Sequence, residues 1–436
     1  MSGYQVNVGS ALDAKVYGAA VFAGVQQQKS FMNLLSGEAP KIGDAASKLK
    51  GQSSPDMPIV KIMDLTSKSG DRVSVDLFNI FSGKPVMGDK RIEGKGMTAT
   101  TSSADIYINR SRGMADTGGK MTQQRTVHNL RTIIQAGLEG WAGRLEDQRC
   151  LIQLAGARGY QATADWVVPV STDPDFSDIV VNTVQAPTYN RRFFAMYTGT
   201  GVTPPTSITG ITNAGALTLS EIDAIGSLLF ESNVPLQNIK LKDDEYEWNE
   251  PLYVMFVTER QWAILKKVSG ALWQSALSTA IKRFDGTKRH PLFMGDSIMW
   301  NGILVKKLSR YAIRFPGGST MMENNATSTA ESAVTVPSTT SGFSVDRAFI
   351  IGAQALIKAY GKEGSQGSNI FAWNEELVDH KSAVEISLAM TEGTAKTRFT
   401  INGQITDHGV AVIDSYAPAV GTTEFNSIVT ASAGKY

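Results

Sequence analysis

The stretch from Thr122 to Ala155 constrains this chain more than any other. Within it Val127, Leu130, Ile134, Leu138, Trp141, Leu145 and Ile152 follow one another at steps of three, four or seven, which stacks them on one stripe of a helix. Arg125, Arg131, Glu139, Arg144, Asp147 and Arg149 are expected on the opposite, solvent side. Unbroken, such a helix runs about 50 Å at 1.5 Å per residue, far beyond the usual three or four turns. Gly137, Gly140 and Gly143 weaken it by up to about 1 kcal/mol each relative to alanine. Packing must therefore hold it, and the glycines are places where a second backbone can come close. Taken alone, this is the long core helix of a globular enzyme, and its neighbours point elsewhere.

Before the helix, Asp71–Phe81 alternates strictly, with Val73, Val75 and Leu77 on one face and Ser74 and Asp76 on the other, as in a half-buried strand. A return strand follows near Ala104, Ile106 and Ile108. Some twenty Gly-rich, charged residues separate the two, too many for a tight hairpin, and a loop this long in a compact domain is usually functional. A protruding hairpin that packs on another chain fits this composition. Further upstream, Leu12 to Leu35 has helical spacing, and the Gly-, Ser-, Pro- and Lys-rich segment behind it reads as an extended arm.

After the spine, residues 160–215 are polar and punctuated by proline, which predicts loops and short strands. Thr218–Ser232 regains helical spacing through Leu219, Ile222, Ile225 and Leu229, with Ser220 and Asp223 near its start. Leu252–Val257 is a continuous apolar run suited to a buried strand. Thr258 and Gln261 then form a capping box ahead of one helix reaching about Phe284, with Trp262, Leu265, Trp273, Leu277 and Ile281 inward. Residues 295–310 read as a loop into a strand, 315–341 as an exposed low-complexity insertion, and the chain is expected to end in sheet.

Composition narrows the function classes. Lys+Arg 42 against Asp+Glu 41 leaves a net charge of +1, so no strong global field draws the chain to nucleic acid or anionic lipid. A single cysteine, Cys150, excludes an intrachain disulfide and a cysteine-based zinc site, and its place in the helical pattern suits a small buried hydrophobe. The apolar run Val16–Val25 is too short to span a bilayer and lacks the flanks of an export signal, so no membrane association is expected.

Catalytic patterns are sparse. Where glycine precedes Lys84, Lys95, Lys120 and Lys362, the next residue is Pro, Gly, Met or Glu rather than Ser or Thr, which excludes a phosphate-binding loop there. His128, His290, His380 and His408 are far apart, and neither HExxH nor GxSxG occurs. Asp379-His380 and Asp407-His408 are adjacent pairs, which in a strand point to opposite faces; both are expected as surface or turn features. No catalytic residue, cofactor or metal site is expected, and the chain is read as a non-enzyme.

The order of motifs resembles a known family. Gly70-Asp71-Arg72-Val73-Ser74-Val75, then Phe81-Ser82-Gly83-Lys84-Pro85-Val86-Met87-Gly88-Asp89 and Ile92-Glu93-Gly94, are similar to the major capsid proteins of N-four-type podophages, which are tailed bacteriophages. The likeness continues through Gln124-Arg125, Asp147 and Leu154-Ala155-Gly156. It resumes at Arg347-Ala348-Phe349-Ile350-Ile351-Gly352-Ala353-Gln354-Ala355, and ends at Asp407-His408-Gly409-Val410-Ala411-Val412-Ile413-Asp414. It covers about residues 10–160 with patches at 218–310 and 345–415, and departs from the family where Lys95-Gly96-Met97 replaces an acidic pair.

The resemblance implies an α+β tailed-phage major capsid fold. Its parts would be an N-terminal arm over 1–65, an extended loop (E-loop) hairpin over 66–110, and a peripheral domain with the spine helix over 111–165. An axial domain with insertions would follow over 166–345, with a returning sheet of both domains and a C-terminal tail over 346–436. The implied function is a structural subunit that self-assembles into hexamers and pentamers of an icosahedral head around phage double-stranded DNA. Its partners would be further copies of itself, scaffold, portal and decoration proteins, and DNA held by weak nonspecific contact. Its place would be the virion, after synthesis in the host cytoplasm. Subunit contacts are expected at Gly88, Asp89, Lys90, Arg91, Glu93, Gly94 and Lys95 of the loop. The helix core is expected at Val127, Leu130, Ile134, Leu138, Trp141 and Leu145. An encapsulin-like nanocompartment shell is an alternative on the same fold, and a cytoplasmic enzyme with dispersed active-site residues is one from a different class.

Overall fold

A computed structural model describes residues 34–37, 53–63, 70–78, 84–95, 101–118, 130–195, 206–232, 234–241, 251–270, 272–286, 291–293, 295–308, 310–363, 370–378, 380, 382–401 and 403–432. The spine helix occupies Leu130–Ala155, 26 residues and roughly 39 Å long. Residues 122–129, including Val127, and all but the end of the expected Leu12–Leu35 helix lie outside the described residues.

Two sheets flank the spine. In the first, Ile59–Ile62 pairs in parallel with Leu356–Tyr360, which pairs with the 14-residue strand Ala383–Lys396; Phe371–Val378 and Asn109–Asp116 also pair with that long strand. Ile59–Ile62 is buried throughout, so this part of the expected arm belongs to the body. In the second sheet the order is Arg192–Phe194, Val410–Tyr416, Ser344–Ile351, Tyr253–Thr258, Ile303–Leu308 and Ser297–Trp300, with Ile313–Pro316 added along Ser344–Ile351. Both of its faces are covered, which is why Tyr253–Thr258 reads as an unbroken apolar run. Ala348 and Ile350 point toward helix Leu219–Phe230, whereas Phe349 and Ile351 point to the core shared with the spine.

The spine contributes to two cores in succession. Leu138, Ala142, Leu145 and Ile152 pack on the first sheet with Trp373, Ile386 and Leu388. Cys150, Leu151, Leu154 and Ala155 pack among Val254, Phe256, Phe349 and Val412 of the second. Residues 148–155 are thereby enclosed on every side, which corrects the expected solvent face at Arg149, buried like Glu146, Gln148 and Gln153, while Arg144 and Asp147 stay half-buried. Nothing lies within 4 Å of a Cβ built at Gly137 or Gly140, so within the subunit no backbone comes close there.

Several local expectations change. The helix after Thr258 is two helices, Glu259–Val268 and Leu272–Gly286, broken at Ser269-Gly270, where Gly270 has φ +49°. The second is rotated so that Ala276 and Ala280 face inward while Leu277 and Ile281 are exposed. Residues 295–310 hold a hairpin, Ser297–Trp300 with Ile303–Leu308, turned through Asn301 and Gly302, both at positive φ. The helix start at residue 218 is a capping box of Thr218 with Glu221 rather than of Ser220 or Asp223.

The segment 315–341 is not simply exposed. It carries the hairpin Thr320–Asn324 with Glu331–Thr335, whose Met321, Glu323 and Asn324 are buried and whose Glu323 lies 3.6 Å from Arg192. Asp407 and His408 are buried too, Asp407 between Lys396 at 2.7 Å and Arg398 at 2.8 Å. Asp379 lies outside the described residues, and His380 is an exposed residue at φ +51°. The described chain ends in a helix, Thr423–Ser432, rather than in sheet.

Candidate interaction surface

The hairpin of Arg72–Phe78 with Thr101–Tyr107 is in antiparallel register from Arg72↔Tyr107 to Phe78↔Thr101. Alternation gives it one apolar face, and Val73, Val75 and Ile106 lie on Val60, Ile62, Ile357 and Ala359 of the first sheet. Its other face is polar: Arg72 pairs with Asp105 at 3.3 Å, and the Ser74 hydroxyl donates to the same carboxylate. The root is thus fixed on the body by burial.

The tip is different. Between Lys84 and Lys95 every described residue except the half-buried Val86 is exposed, including Gly88, Asp89, Lys90, Arg91, Glu93, Gly94 and Lys95. Met87 and Ile92 are about 70% exposed, the most exposed large apolar residues described in the chain. The tip is shaped by its own turn, in which the Lys95 amide donates to the Ile92 carbonyl at 3.1 Å, with Gly88 and Gly94 at positive φ. Opposite charges alternate along it, Asp89 and Glu93 against Lys90, Arg91 and Lys95, with the two apolar side chains between them. A surface of that kind has little to gain from its own subunit and can bury area only on another molecule.

The spine-core expectations divide. Leu138 and Leu145 are buried; Ile134 and Trp141 are half-buried but pack on the same core; Leu130 is half-buried at the helix start. Trp141 lies directly under strand Asn109–Asp116, where a Cβ at Gly113 would come within 2.8 Å of its ring.

Charged groups join spine to sheet in a way that periodicity could not show. Lys358 sits 2.9 Å from Glu146 and 2.8 Å from Glu392, and Arg149 reaches Glu392 at 2.7 Å and the Ser111 hydroxyl at 2.6 Å. Burial, together with the neighbouring Glu392, pushes the Glu146 carboxyl up to about 8 against the pull of Lys358. Burial also acts to raise Glu392, yet Lys358 and Arg149 override it and hold that carboxyl down at about 2. Lys61, on the adjacent strand, is lowered to about 8 by burial and by Lys358, and burial pushes the Cys150 thiol up to about 12. At the helix end Arg347 donates to the Ala155 carbonyl at 2.8 Å, placing a cation on the negative pole of the helix dipole, while it pairs bidentately with Asp414 at 2.7 and 2.8 Å.

Among the described residues no group of three or more His, Cys, Asp or Glu is placed to hold a metal ion, and no helix is long and apolar enough to cross a membrane. Among the described residues, the stretch from Lys84 to Lys95 is the longest that is exposed almost throughout.

That architecture has relatives. A family model described as "Phage capsid protein" matches residues 5–419. The chain belongs to the phage capsid protein family. Its fold is that of tailed-phage major capsid proteins, and it is a structural subunit of a bacteriophage capsid. The capsid of Ralstonia phage GP4 is similar at 22% identity and a TM-score of 0.68, with 97% of each chain covered. The capsid of cyanophage Pam1 is similar at 16% identity and a TM-score of 0.55, over 96% of this chain and 100% of that one. The Helicobacter pylori bacteriophage KHP30 capsid is similar at 12% identity and a TM-score of 0.53, over 87% and 93%. No curated protein matches the chain. The loop between the two strands is long, Gly-rich and charged in the sequence, and its described residues are exposed; the network of Glu146, Arg149, Lys358 and Glu392 has no such local mark, because the fold alone brings its members together.

Proposed function

We propose that copies of this capsid protein assemble into hexamers and pentamers of an icosahedral shell around double-stranded DNA, with the hairpin tip of each subunit lying across its neighbour. The observation that carries this reading is the contrast within one hairpin. Its root is buried on Val60, Ile62 and Ile357, while Met87 and Ile92 at its tip are about 70% exposed. Gly88, Asp89, Lys90, Arg91, Glu93, Gly94 and Lys95 are the contact residues, and their alternating charges set the register on a neighbour.

On this reading the spine with the first sheet forms the peripheral domain and the second sheet the axial domain, which meets its copies at the capsomer centre. A net charge of +1 suits a wall whose copies crowd together and whose contact with packaged DNA is weak and nonspecific. Scaffold, portal and decoration proteins are the further partners, and the subunit is made in the host cytoplasm before it enters the virion. Electron microscopy of the protein expressed with its scaffold tests the reading: closed shells or capsomer rings are expected. A compact monomer across a wide concentration range would contradict it.

A further inference from the structure

We propose that Asn182 is the latch that fixes the angle of the long hairpin, and that the spine helix sets this latch through Gln153. The functional weight of the latch rests on the reading of the hairpin as the contact between subunits; its geometry does not.

The return strand of the hairpin joins the first sheet at Ile108. Tyr107 ends the return strand, Ile108 follows, and Asn109–Asp116 continues in the first sheet. Asn182, 8% exposed, holds that point from the side. Its Oδ1 accepts from the Tyr107 amide at 2.9 Å, and its Nδ2 donates to the Tyr107 carbonyl at 2.9 Å and to the Thr394 carbonyl at 3.1 Å. A side-chain amide has one carbonyl and two N–H donors, and here the oxygen and the NH2 group pair with both backbone groups of one residue, as a neighbouring strand would. Gly393 makes the approach possible, because a Cβ there would lie 1.9 Å from the Tyr107 carbonyl oxygen.

The latch is held from behind by the spine. Gln153 donates to the Asn182 carbonyl at 2.8 Å, and one turn earlier Arg149 donates to the Ile179 carbonyl at 2.8 Å. Between these two anchors Val181 is forced to φ +69° and ψ −61°, and the Asn182 amide closes a three-residue turn on Val180 at 2.8 Å. This γ-turn is rare and strained, more so for a β-branched residue. Strain of this kind persists only where its surroundings over-determine it, and here it aims one side chain at the hairpin root.

There is also room for the hairpin to take another angle. A cleft of about 370 Å³ lies beside the joint, lined by Asp105, Tyr107, Asn182, Gln185, Lys396 and Arg398. Breaking three hydrogen bonds, all made by the Asn182 side chain, would leave the root held by the apolar contacts of Val73, Val75 and Ile106 and by the Thr400 amide's bond to the Ser102 hydroxyl.

Hydrogen exchange on the unassembled subunit tests the latch. Asn182→Ala is expected to speed exchange at the Tyr107 and Ile108 amides by about 10- to 100-fold, and to leave the central strand Tyr253–Thr258 unchanged. Gln153→Ala should act in the same direction and less strongly. If Asn182→Ala does not yield folded protein, Asn182→Asp sets a carboxylate oxygen in place of both donors against the Tyr107 and Thr394 carbonyls, and that repulsion is expected to open the joint and give the same local acceleration. Unchanged exchange at Tyr107 and Ile108, or acceleration that spreads equally to Tyr253–Thr258, would overturn the latch. Shell assembly of the same variants reports on the other reading: a freed hairpin that still gives normal shells would leave the latch standing and count against the hairpin as the contact between subunits.

Discussion

The two ends of this molecule's connectivity are built by opposite means. Where the spine helix meets the sheets, charged side chains are taken wholly out of water and paired with each other: Arg347 with Asp414, Lys358 with Glu146 and Glu392, and Arg149 with Glu392. At the hairpin tip, charges of both signs and two large apolar side chains are left exposed. A buried pair is worth little relative to a well-packed apolar pair, but removing one member is costly. The joint is therefore brittle toward single substitutions and the tip is indifferent to them. The difference separates residues that make a subunit from residues that make a shell.

The largest effects are expected at the joint. Arg347→Met strands the Asp414 carboxylate, which is fully buried, and leaves the Ala155 carbonyl without its donor; it should cost about 3–5 kcal/mol in denaturant unfolding. The double variant Arg347→Met, Asp414→Leu should recover most of that loss. If the single variant alone were neutral, the joint would not be brittle and the contrast with the tip would collapse. Leu138→Asp, which places a lone carboxylate in the core under the first sheet, should likewise cost several kcal/mol and abolish soluble subunit.

A smaller effect sharpens the electrostatic side. Glu146, raised from 4.5 to about 8, keeps its proton in the folded chain at pH values where the unfolded chain has released it. The folded state then binds more protons, so this group's contribution falls as pH rises from about 4.5 to about 8. Glu392, lowered to about 2, has the opposite sign in a separate window, its contribution being lost as pH falls from about 4.5 toward 2. Glu146→Gln should therefore gain on the natural protein by roughly 1–3 kcal/mol between pH 5 and pH 8, read as a widening gap between denaturation midpoints. Parallel pH profiles would show that Glu146 is ionised in the fold across this range.

What could be read from sequence follows the same division. Local signals survived: the Thr258–Gln261 capping box, the buried run Tyr253–Thr258, and the alternation of Val73, Val75 and Ile106 all depend on residues near one another in the chain. The solvent face assigned to Arg149 did not survive, because the last two turns of the helix are covered by two sheets, and period alone cannot count how many faces are covered. Ser269-Gly270 broke a helix whose apolar spacing continued across the break, and Leu277 and Ile281 were lost from the core with it. Asn182 carries no local mark, since its partners lie 75 and 212 residues away. The exposure of the tip follows from its composition, whereas its anchor depends on the fold.

The smallest expected effect on folding, and the most direct test of the account, is deletion of Asp89 to Thr98. Asp89 to Lys95 is exposed throughout, so losing about 1 kcal/mol or less should move the melting temperature of the unassembled subunit by no more than roughly 2–4 °C. Shell formation, followed by electron microscopy of the same preparation, should fail, because the contact removed is repeated at every subunit. A subunit that melts normally and builds no shells is the predicted result. Normal shells from the deletion variant would contradict the account.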